Sequence, residues 1–366
     1  MYKYVRLGED EFMKKRVGFL IMDIGNGGGT ERVTTLLANK LALEDYQVSI
    51  ISCREGKRSH FFLEDMVSLC SLEGEKISNG LKRKILCINK LKKIIREQKI
   101  QTMIAVDVAL YAYLWPLQMQ NLCRCIAWEH FNYYISVNTM AKLGRTLAAK
   151  FANHIVVLGQ NDLKNYQEHY KTIKNISCIY NPISIQAKEK ADLNQKTIVS
   201  AGRFEYQKGF DLLIQIWEKV EKKNQDWVLK IYGDGSLKNE LEKMIVEKNL
   251  HNIYLCGYAD NIEKVYSEAS VFALSSRYEG FGLVLLEAQA TGLPCISFNC
   301  KEGPREIIKN GVNGFLIEEG NLDAYAEGLL KLMEDIELRK KFAEEAGNDL
   351  KKYEIDDIIK SWRVIL

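Results

Sequence analysis

A strand, a glycine-containing turn and a helix follow one another twice in this chain, and this pattern constrains the fold most. The first copy has an apolar, strand-length run at 17–22, a glycine-rich turn at 25–30 and a helix-spaced segment at 31–41. The second copy places a strand at 197–201 and a helix at 209–221. Because alternating strands and helices form parallel sheets covered by helices, we predict two doubly wound α/β domains in series.

The boundary between these domains is predicted near the middle of the chain. Asn181-Pro182 closes the first run of strands and helices, and the polar segment 186–196 is typical of a linker. A length of 366 residues allows two domains that each bury a core. The segment 13–16 resembles a natural start, so we expect residues 1–12 to be an extension.

Charge, hydropathy and cysteine pattern exclude several classes of protein. The net charge is +9 over residues 1–181 and −6 over residues 182–366. No apolar stretch reaches the roughly 18–20 residues of a membrane-spanning helix, and no secretory signal precedes the first strand. The nine cysteines form no CxxC pair and the histidines no HxxxH pair. We expect a cytoplasmic protein with reduced thiols and no zinc site.

The first glycine-rich turn is a candidate phosphate site, because main-chain N–H groups before a helix attract anions. It departs from the dinucleotide fingerprint GxGxxG, since Thr30 stands where the third glycine is required. The strand at 48–52 also ends without a carboxylate for a ribose, and no GKS or GKT sequence follows any strand. The turn therefore either contacts a ligand through its main chain or is only a tight turn.

Two cations open the second domain. Its first strand ends at Gly202-Arg203, and Lys208 lies at the mouth of the next helix. Positive side chains at the carboxyl end of a parallel sheet, beside a helix N-terminus, suit a diphosphate. The alternative is a solvated charge pair without a ligand.

Two glutamates flank a later strand-to-helix junction. Glu279 lies in the loop, and Glu287 lies more than one turn inside the predicted helix 283–290, on an otherwise apolar face. A buried carboxylate requires a partner, and sugar hydroxyls are suitable donors. Alternatively, Glu287 lies on the polar side of that helix.

In this order along the chain, the motifs resemble those of the retaining GT-B glycosyltransferases of family GT4. The motifs that carry the resemblance are the glycine turn with Glu31-Arg32, Gly202-Arg203, Lys208-Gly209, the YGDG turn at 232–235, Glu279 and Glu287. The resemblance extends from about residue 17 to residue 352. The segments 128–133 and 301–308 resemble those of bacterial members that build capsule, exopolysaccharide and teichoic-type glycans.

The resemblance implies an α/β fold in which two Rossmann-like, doubly wound domains face each other across a cleft. It implies an acceptor-binding domain over residues 1–182 and a nucleotide-sugar-binding domain over residues 183–352, with the hinge at Asn181-Pro182. A terminal helix over residues 353–366 is expected to cross back to the first domain.

The resemblance also implies roles for individual residues. Arg203 and Lys208 would neutralise the diphosphate, Glu279 and His130 would meet the donor sugar, and Glu287 would bind the ribose. For His130, the alternative is a structural role in the core. The positions expected to contact the donor or its nucleotide are Gly28, Gly29, Gly202, Gly233, Gly235, Tyr258, Gly280, Phe281, Gly282, Leu283 and Glu287. No DxD triplet occurs, and we expect neither a metal nor a cofactor.

The implied activity is transfer of a hexose or N-acetylhexosamine with retention. The donor would be a nucleotide-diphosphate sugar, with UDP favoured, and the acceptor a glycan or a polyprenyl-diphosphate-linked sugar of bacterial surface polysaccharide synthesis. Two alternatives remain: a nucleotide-sugar 2-epimerase of the same architecture, and an inert glycosyltransferase-like subunit. The cation pair and the glutamate pair argue against both.

A basic segment of the first domain bears on the acceptor. Residues 81–99 contain eight Lys or Arg and one Glu, and apolar residues at 81, 85, 88, 91, 94 and 95 share a helix face. Such a helix suits the anionic inner face of the cell membrane, so we expect peripheral contact there rather than nucleic-acid binding. The alternative is an ordinary surface helix that packs on the sheet.

Overall fold

The computed structural model describes residues 14–54, 56, 58–73, 80–135, 139–171 and 173–366. The strands of the first sheet are β1 (Lys15–Ile21), β2 (Tyr46–Ser52), β3 (Ser68–Ser71), β4 (Thr102–Val106), β5 (Arg124–Trp128), β6 (His154–Val157) and β7 (Ile176–Cys178). The helices of this part are α1 (Gly29–Leu43), α2 (Gly80–Glu97), α3 (Tyr111–Gln118), α4 (Thr139–Phe151) and α5 (Gln160–His169). The strands are parallel in the order β3-β2-β1-β4-β5-β6-β7.

The second sheet is also parallel. Its strands are β8 (Thr197–Ala201), β9 (Val228–Tyr232), β10 (Ile253–Gly257), β11 (Val271–Leu274), β12 (Cys295–Phe298) and β13 (Gly314–Ile317), in the order β10-β9-β8-β11-β12-β13. The helices are α6 (Phe210–Glu221), α7 (Lys238–Glu247), α8 (Ile262–Ser267), α9 (Leu283–Ala290), α10 (Pro304–Ile307), α11 (Leu322–Glu334), α12 (Ile336–Asp349) and α13 (Ile355–Ile365). The predicted fold class, with two Rossmann-like domains, is confirmed.

Each sheet reverses its strand order at one point, and these points position the site. The reversal lies between β1 and β4 in the first sheet and between β8 and β11 in the second. Loops that leave neighbouring strands in opposite directions open a crevice at the carboxyl edge of a parallel sheet. The loops after β1, β5, β8 and β11 carry the glycine turn, His130, Arg203 and Glu279 respectively.

The last helix packs against the first domain. Trp362 of α13 meets Trp128 at the end of β5, with ring centroids 4.9 Å apart, and Asp356 pairs with Lys40 of α1 at 2.5 Å. The chain thus passes between the two sheets twice, once at the Asn181-Pro182 segment and once just before α13. The two passages are joined, because the Ile183 N–H donates to the carbonyl oxygen of Tyr353 at 2.8 Å.

The basic segment forms helix α2, but the domain core uses most of its apolar face. Leu91 and Ile95 are buried against the sheet, and Ile88 and Ile94 pack against the same cluster. Ile85 remains 53% exposed. The core therefore takes up most of the apolar face, as expected for a surface helix that packs on the sheet, and peripheral contact with a membrane stays a prediction. Among the described residues, no helix is long and apolar enough to cross a bilayer.

Candidate functional site

A cavity of about 340 Å³ lies between the carboxyl edges of the two sheets. The first domain contributes the glycine turn at 27–30 and the turn that contains His130. Thirteen predicted positions line the cavity: Gly28, Gly29, His130, Gly202, Arg203, Lys208, Gly233, Tyr258, Glu279, Gly280, Phe281, Gly282 and Leu283. Gly235 and Glu287 are not among the lining residues. The fold thus brings together residues from segments far apart in sequence.

Lys208 is held at the cavity by an ion pair with Glu279. Its Nζ lies 2.6 Å from Glu279 Oε1, and the two side chains are 13% and 6% exposed. Ser276, three residues before Glu279, donates a second hydrogen bond of 2.6 Å to the same oxygen. Gly209 permits this approach: its φ is +62°, and a Cβ there would lie 2.2 Å from the carbonyl oxygen of Ser275. The pair places a cation on the cavity wall.

Arg203 lies on the exposed rim of the cavity, and no carboxylate among the described residues forms an ion pair with it. Across the cleft, Glu31 belongs to the first turn of α1. Burial raises the pKa of the Glu31 carboxyl, while the positive charge of Arg203 acts in the opposite direction. The guanidinium is therefore available to an anionic ligand that enters between the domains.

His130 is a neutral donor or acceptor. It is 8% exposed, its ring centroid lies 4.2 Å from that of Trp128, and burial lowers its pKa to about 3. Its Nε2 is buried and has no hydrogen-bond partner among the described residues. A buried polar atom without a partner is uncommon, and this one belongs to a residue that lines the cavity. An uncharged imidazole suits the hydroxyl group of a sugar better than it suits a phosphate.

The two domains touch directly beside the cavity. Asn132 Nδ2 donates to the carbonyl oxygen of Glu279 at 2.9 Å, and a Cβ at Gly280 would lie 2.1 Å from the carbonyl oxygen of His130. Only a residue without a side chain fits at position 280 in this arrangement. The loop that carries Glu279 is thus fixed against the turn that carries His130.

Glu287 lies one helical turn beyond the cavity lining and is surrounded by donors. Arg32 Nη1 of α1 lies 2.7 Å from Glu287 Oε1, and Ser184 Oγ donates to the same oxygen. The Tyr266 hydroxyl donates to Oε2 at 3.3 Å. The carboxylate is therefore buried among partners, which excludes the alternative that it lies on a polar, solvated side of α9. Contact with a ribose stays a prediction.

Tyr258 and Gly233 form the outer part of the cavity. Tyr258 follows Gly257, whose φ is +71°, and its side chain is 75% exposed. An exposed aromatic ring at a cavity mouth offers a flat face to a planar ligand such as a nucleobase. Gly235 instead packs against Phe204, whose carbonyl oxygen would lie 2.6 Å from a Cβ at position 235. Its observed role is to shape the turn.

Five partners in this site were not assigned roles from the sequence: Ser276, Arg32, Asn132, Ser184 and Tyr266. Ser276 lies close to Glu279 in sequence, and Arg32 ends the glycine motif, so motifs already singled out pointed to both. The other three gave no such signal, because they lie far in sequence from the residues that they contact. In the described part of the chain, no three His, Cys, Asp or Glu side chains lie together as metal ligands.

Two facing Rossmann-like domains with this site at their junction define a GT-B glycosyltransferase. Residues 27–187 match the family Glycosyltransferase Family 4, and residues 183–349 match Glycosyl transferases group 1. The chain belongs to this family of glycosyltransferases, as the sequence motifs predicted.

Relatives with the same domain organisation cover nearly the whole chain. An uncharacterised glycosyltransferase of Haemophilus influenzae is 35% identical over 96% of this chain and 100% of its own length. The amylovoran biosynthesis glycosyltransferase AmsD of Erwinia amylovora is 30% identical over 95% of this chain and 98% of its length. The structure of Staphylococcus aureus TarM with UDP and α-GlcNAc-glycerol superimposes with a TM-score of 0.83 at 18% identity, covering 96% and 99% of the two chains.

Proposed function

We propose that this protein is a retaining, metal-independent hexosyltransferase of bacterial surface polysaccharide synthesis. It would move a hexose or N-acetylhexosamine from a UDP-sugar to a glycan or a lipid-linked acceptor. The observation that carries this proposal is the cavity between the domains, where Arg203 and Lys208 face the glycine turn and the neutral imidazole of His130. The two cations suit a diphosphate, and the uncharged polar groups suit a sugar.

The residues on the cavity wall support a simple reaction. As the bond between the anomeric carbon and the diphosphate oxygen breaks, negative charge grows on the leaving phosphate, and preplaced cations stabilise it. The acceptor oxygen forms its bond to the anomeric carbon from the same face, and its proton passes to the leaving phosphate. No carboxylate nucleophile is needed in this reaction. The alternative is attack by Glu279 on the anomeric carbon.

The ion pair between Lys208 and Glu279 bears on how the site would bind the diphosphate of its substrate. The lysine contacts a carboxylate 2.6 Å away, so an arriving diphosphate would offer it a second anion. Lys208 would then lie between two anions, with Arg203 as a second cation at the same cavity, and Glu279 would stay ordered through Ser276. The two cations together suit a donor that carries a diphosphate.

The choice of UDP and of a lipid-linked acceptor is supported by relatives. The TarM structure contains UDP. A Campylobacter jejuni relative, 29% identical over 93% of this chain, is an N-acetylgalactosaminyltransferase whose name specifies a diphospho-undecaprenol acceptor. We infer a nucleotide diphosphate donor and an acceptor that carries either a glycan alone or a glycan on a polyprenyl diphosphate.

Binding of nucleotide and release of nucleotide diphosphate test the proposal. UDP at about 100 times its dissociation constant should raise the unfolding free energy by about 2.7 kcal/mol, because it binds only the folded state. GDP at the same concentration is the matched control. Incubation with a panel of UDP-sugars should then release UDP only when a suitable acceptor is added.

Each alternative gives a different outcome in this experiment. A 2-epimerase would convert the nucleotide sugar without an acceptor, and an inert subunit would bind no donor or release no diphosphate with any acceptor. Stabilisation by GDP alone would overturn the choice of UDP.

We also propose that α2 contacts an anionic membrane through its cations. Arg83, Lys93 and Arg96 are exposed, whereas most of the apolar face is used by the core. Near the start of the helix, Lys84 and Ile88 line an apolar cavity of about 290 Å³ between α2, α3 and α4. Attraction would therefore be mainly electrostatic, with a small apolar contribution from Ile85.

Vesicle flotation tests this contact. The wild type should float with anionic vesicles and not with neutral ones, and Arg83→Gln/Lys93→Gln/Arg96→Gln should lose about 100-fold in partitioning, at about 1 kcal/mol per charge. The matched control replaces three exposed lysines elsewhere, Lys222, Lys340 and Lys360, and should float like the wild type. Absence of the wild type from both kinds of vesicle would contradict the proposal.

A further inference from the structure

Arg32 is a first-domain side chain that reaches into the second domain. It lies in the first turn of α1, directly after the glycine turn, and its Nη1 is 2.7 Å from Oε1 of Glu287 in α9. Its guanidinium also lies over the ring of Phe61, 4.8 Å from the ring centroid. The side chain of Glu287 is 6% exposed and that of Arg32 is 28% exposed, so the pair is largely removed from water.

The two oxygens of Glu287 are used unequally. Oε1 accepts from both Arg32 and Ser184, whereas Oε2 accepts only a 3.3 Å hydrogen bond from Tyr266 among the described residues. A carboxylate can accept about four hydrogen bonds, so Oε2 has capacity left. Glu287 and Tyr266 each follow a cavity-lining residue by one helical turn, namely Leu283 in α9 and Ile262 in α8.

The relative strengths of the possible donors decide what a ligand could do here. A guanidinium that donates to a carboxylate joins two opposite charges, whereas a hydroxyl brings no charge of its own to the same acceptor. A ribose hydroxyl is a neutral donor, so it cannot replace Arg32 at Oε1 without a net loss. It can add a hydrogen bond at Oε2 while the ion pair remains intact.

We propose that Arg32 is a positioning residue for the nucleotide. From the first domain it holds the carboxylate of Glu287 in place, with Oε2 left for the ribose hydroxyls. Nucleotide binding in the second domain then depends on a contact that exists only while the domains are together. This inference rests on the proposed function, because it assumes that a nucleotide occupies the cavity.

Calorimetric titration with UDP and with GDP tests the assignment. Arg32→Met should weaken binding of the preferred nucleotide about tenfold, as expected for loss of a charge-assisted hydrogen bond. Arg32→Lys, which keeps the charge, should recover most of that loss. The KM for the donor sugar should rise in parallel with little change in kcat, because the contact is equally present before and during the reaction.

The double variant Arg32→Met/Glu287→Gln separates positioning from a general structural effect. In the Glu287→Gln background, Arg32→Met should change nucleotide affinity by less than about twofold, since the carboxylate it positions is gone. Losses that multiply in the double variant, or wild-type affinity in Arg32→Met, would overturn the assignment. If Arg32→Met does not fold, Arg32→Lys is used in the same cycle, with a smaller loss expected.

A control on the same helix completes the experiment. Lys40 also pairs across elements, with Asp356 at 2.5 Å, but it lies far along α1 from the cavity. Lys40→Met should leave nucleotide affinity unchanged. If the wild type binds neither UDP nor GDP, the proposed nucleotide site itself is wrong, and that result is distinct from normal binding by Arg32→Met.

Discussion

Replacing Lys208 by alanine should lower turnover by about 100- to 1,000-fold, or ~2.7–4 kcal/mol. The lysine is the cation that the structure holds at 2.6 Å from Glu279 on the cavity wall, where the leaving diphosphate is expected. Its loss removes charge stabilisation that grows as the glycosidic bond breaks. Single-turnover release of nucleotide diphosphate, measured on folded protein, checks this result.

The alanine variant also leaves Glu279 buried without its cation, which by itself can cost several kcal/mol of stability. The variant Lys208→Ala/Glu279→Gln removes the unpaired charge and should recover much of the thermal stability while turnover stays low. Lys219→Ala is the matched control, because Lys219 pairs with Asp323 on the surface at 2.7 Å. A folded Lys208→Ala protein with near-normal turnover would exclude Lys208 from the diphosphate site.

Gly280→Ala should reduce transfer by about 100-fold while both domains remain folded. The added Cβ would lie 2.1 Å from the carbonyl oxygen of His130, so the two loops must separate. Separation moves His130 and the glycine turn away from Arg203 and Lys208, and a displacement of about 1 Å is enough for a loss of this size. The measurement is the rate of sugar transfer at saturating donor, together with nucleotide affinity.

We expect kcat to fall by about 100-fold and nucleotide affinity to fall by no more than the roughly tenfold loss expected for Arg32→Met, because Tyr258 and the other second-domain contacts are not moved. Gly347→Ala is the matched control: nothing lies within 4 Å of a Cβ there, so activity should be unchanged. Full transfer activity in Gly280→Ala would show that the closed contact between the loops is not needed for the reaction.

The sequence predicted the fold well where strands are buried on both faces. The strand β8 and the helix α9 have the bounds that the sequence predicted, 197–201 and 283–290. The edge strands β3 and β7 were not expected. They are short and only partly buried, so they lack the continuous apolar run that marks a central strand.

The sequence predicted which residues belong to the site, but it did not predict which of them contact one another. Motif order brought out Arg203, Lys208 and Glu279, which line one cavity. The pairing of Lys208 with Glu279 joins residues 71 positions apart, and that of Arg32 with Glu287 joins residues 255 apart. The first pair depends on how the second domain folds, and the second pair depends on how the two domains meet. No periodicity in a single sequence records either contact.

For α2, the sequence predicted the element correctly but not what its apolar face contacts. Its apolar spacing indicated a helix correctly, but the same spacing suits a membrane surface and a protein core. Leu91 and Ile95 are part of the core beside the first sheet.

The hydrogen bond between Ile183 and Tyr353 has a mechanical consequence. If only one chain segment connected the two domains, one domain could rotate in any direction about that segment. Two connecting segments that are hydrogen-bonded side by side form a hinge, about which the domains can rotate on a single axis. On the proposed function, entry of the acceptor and release of the nucleotide diphosphate would both require the same rotation of one domain against the other.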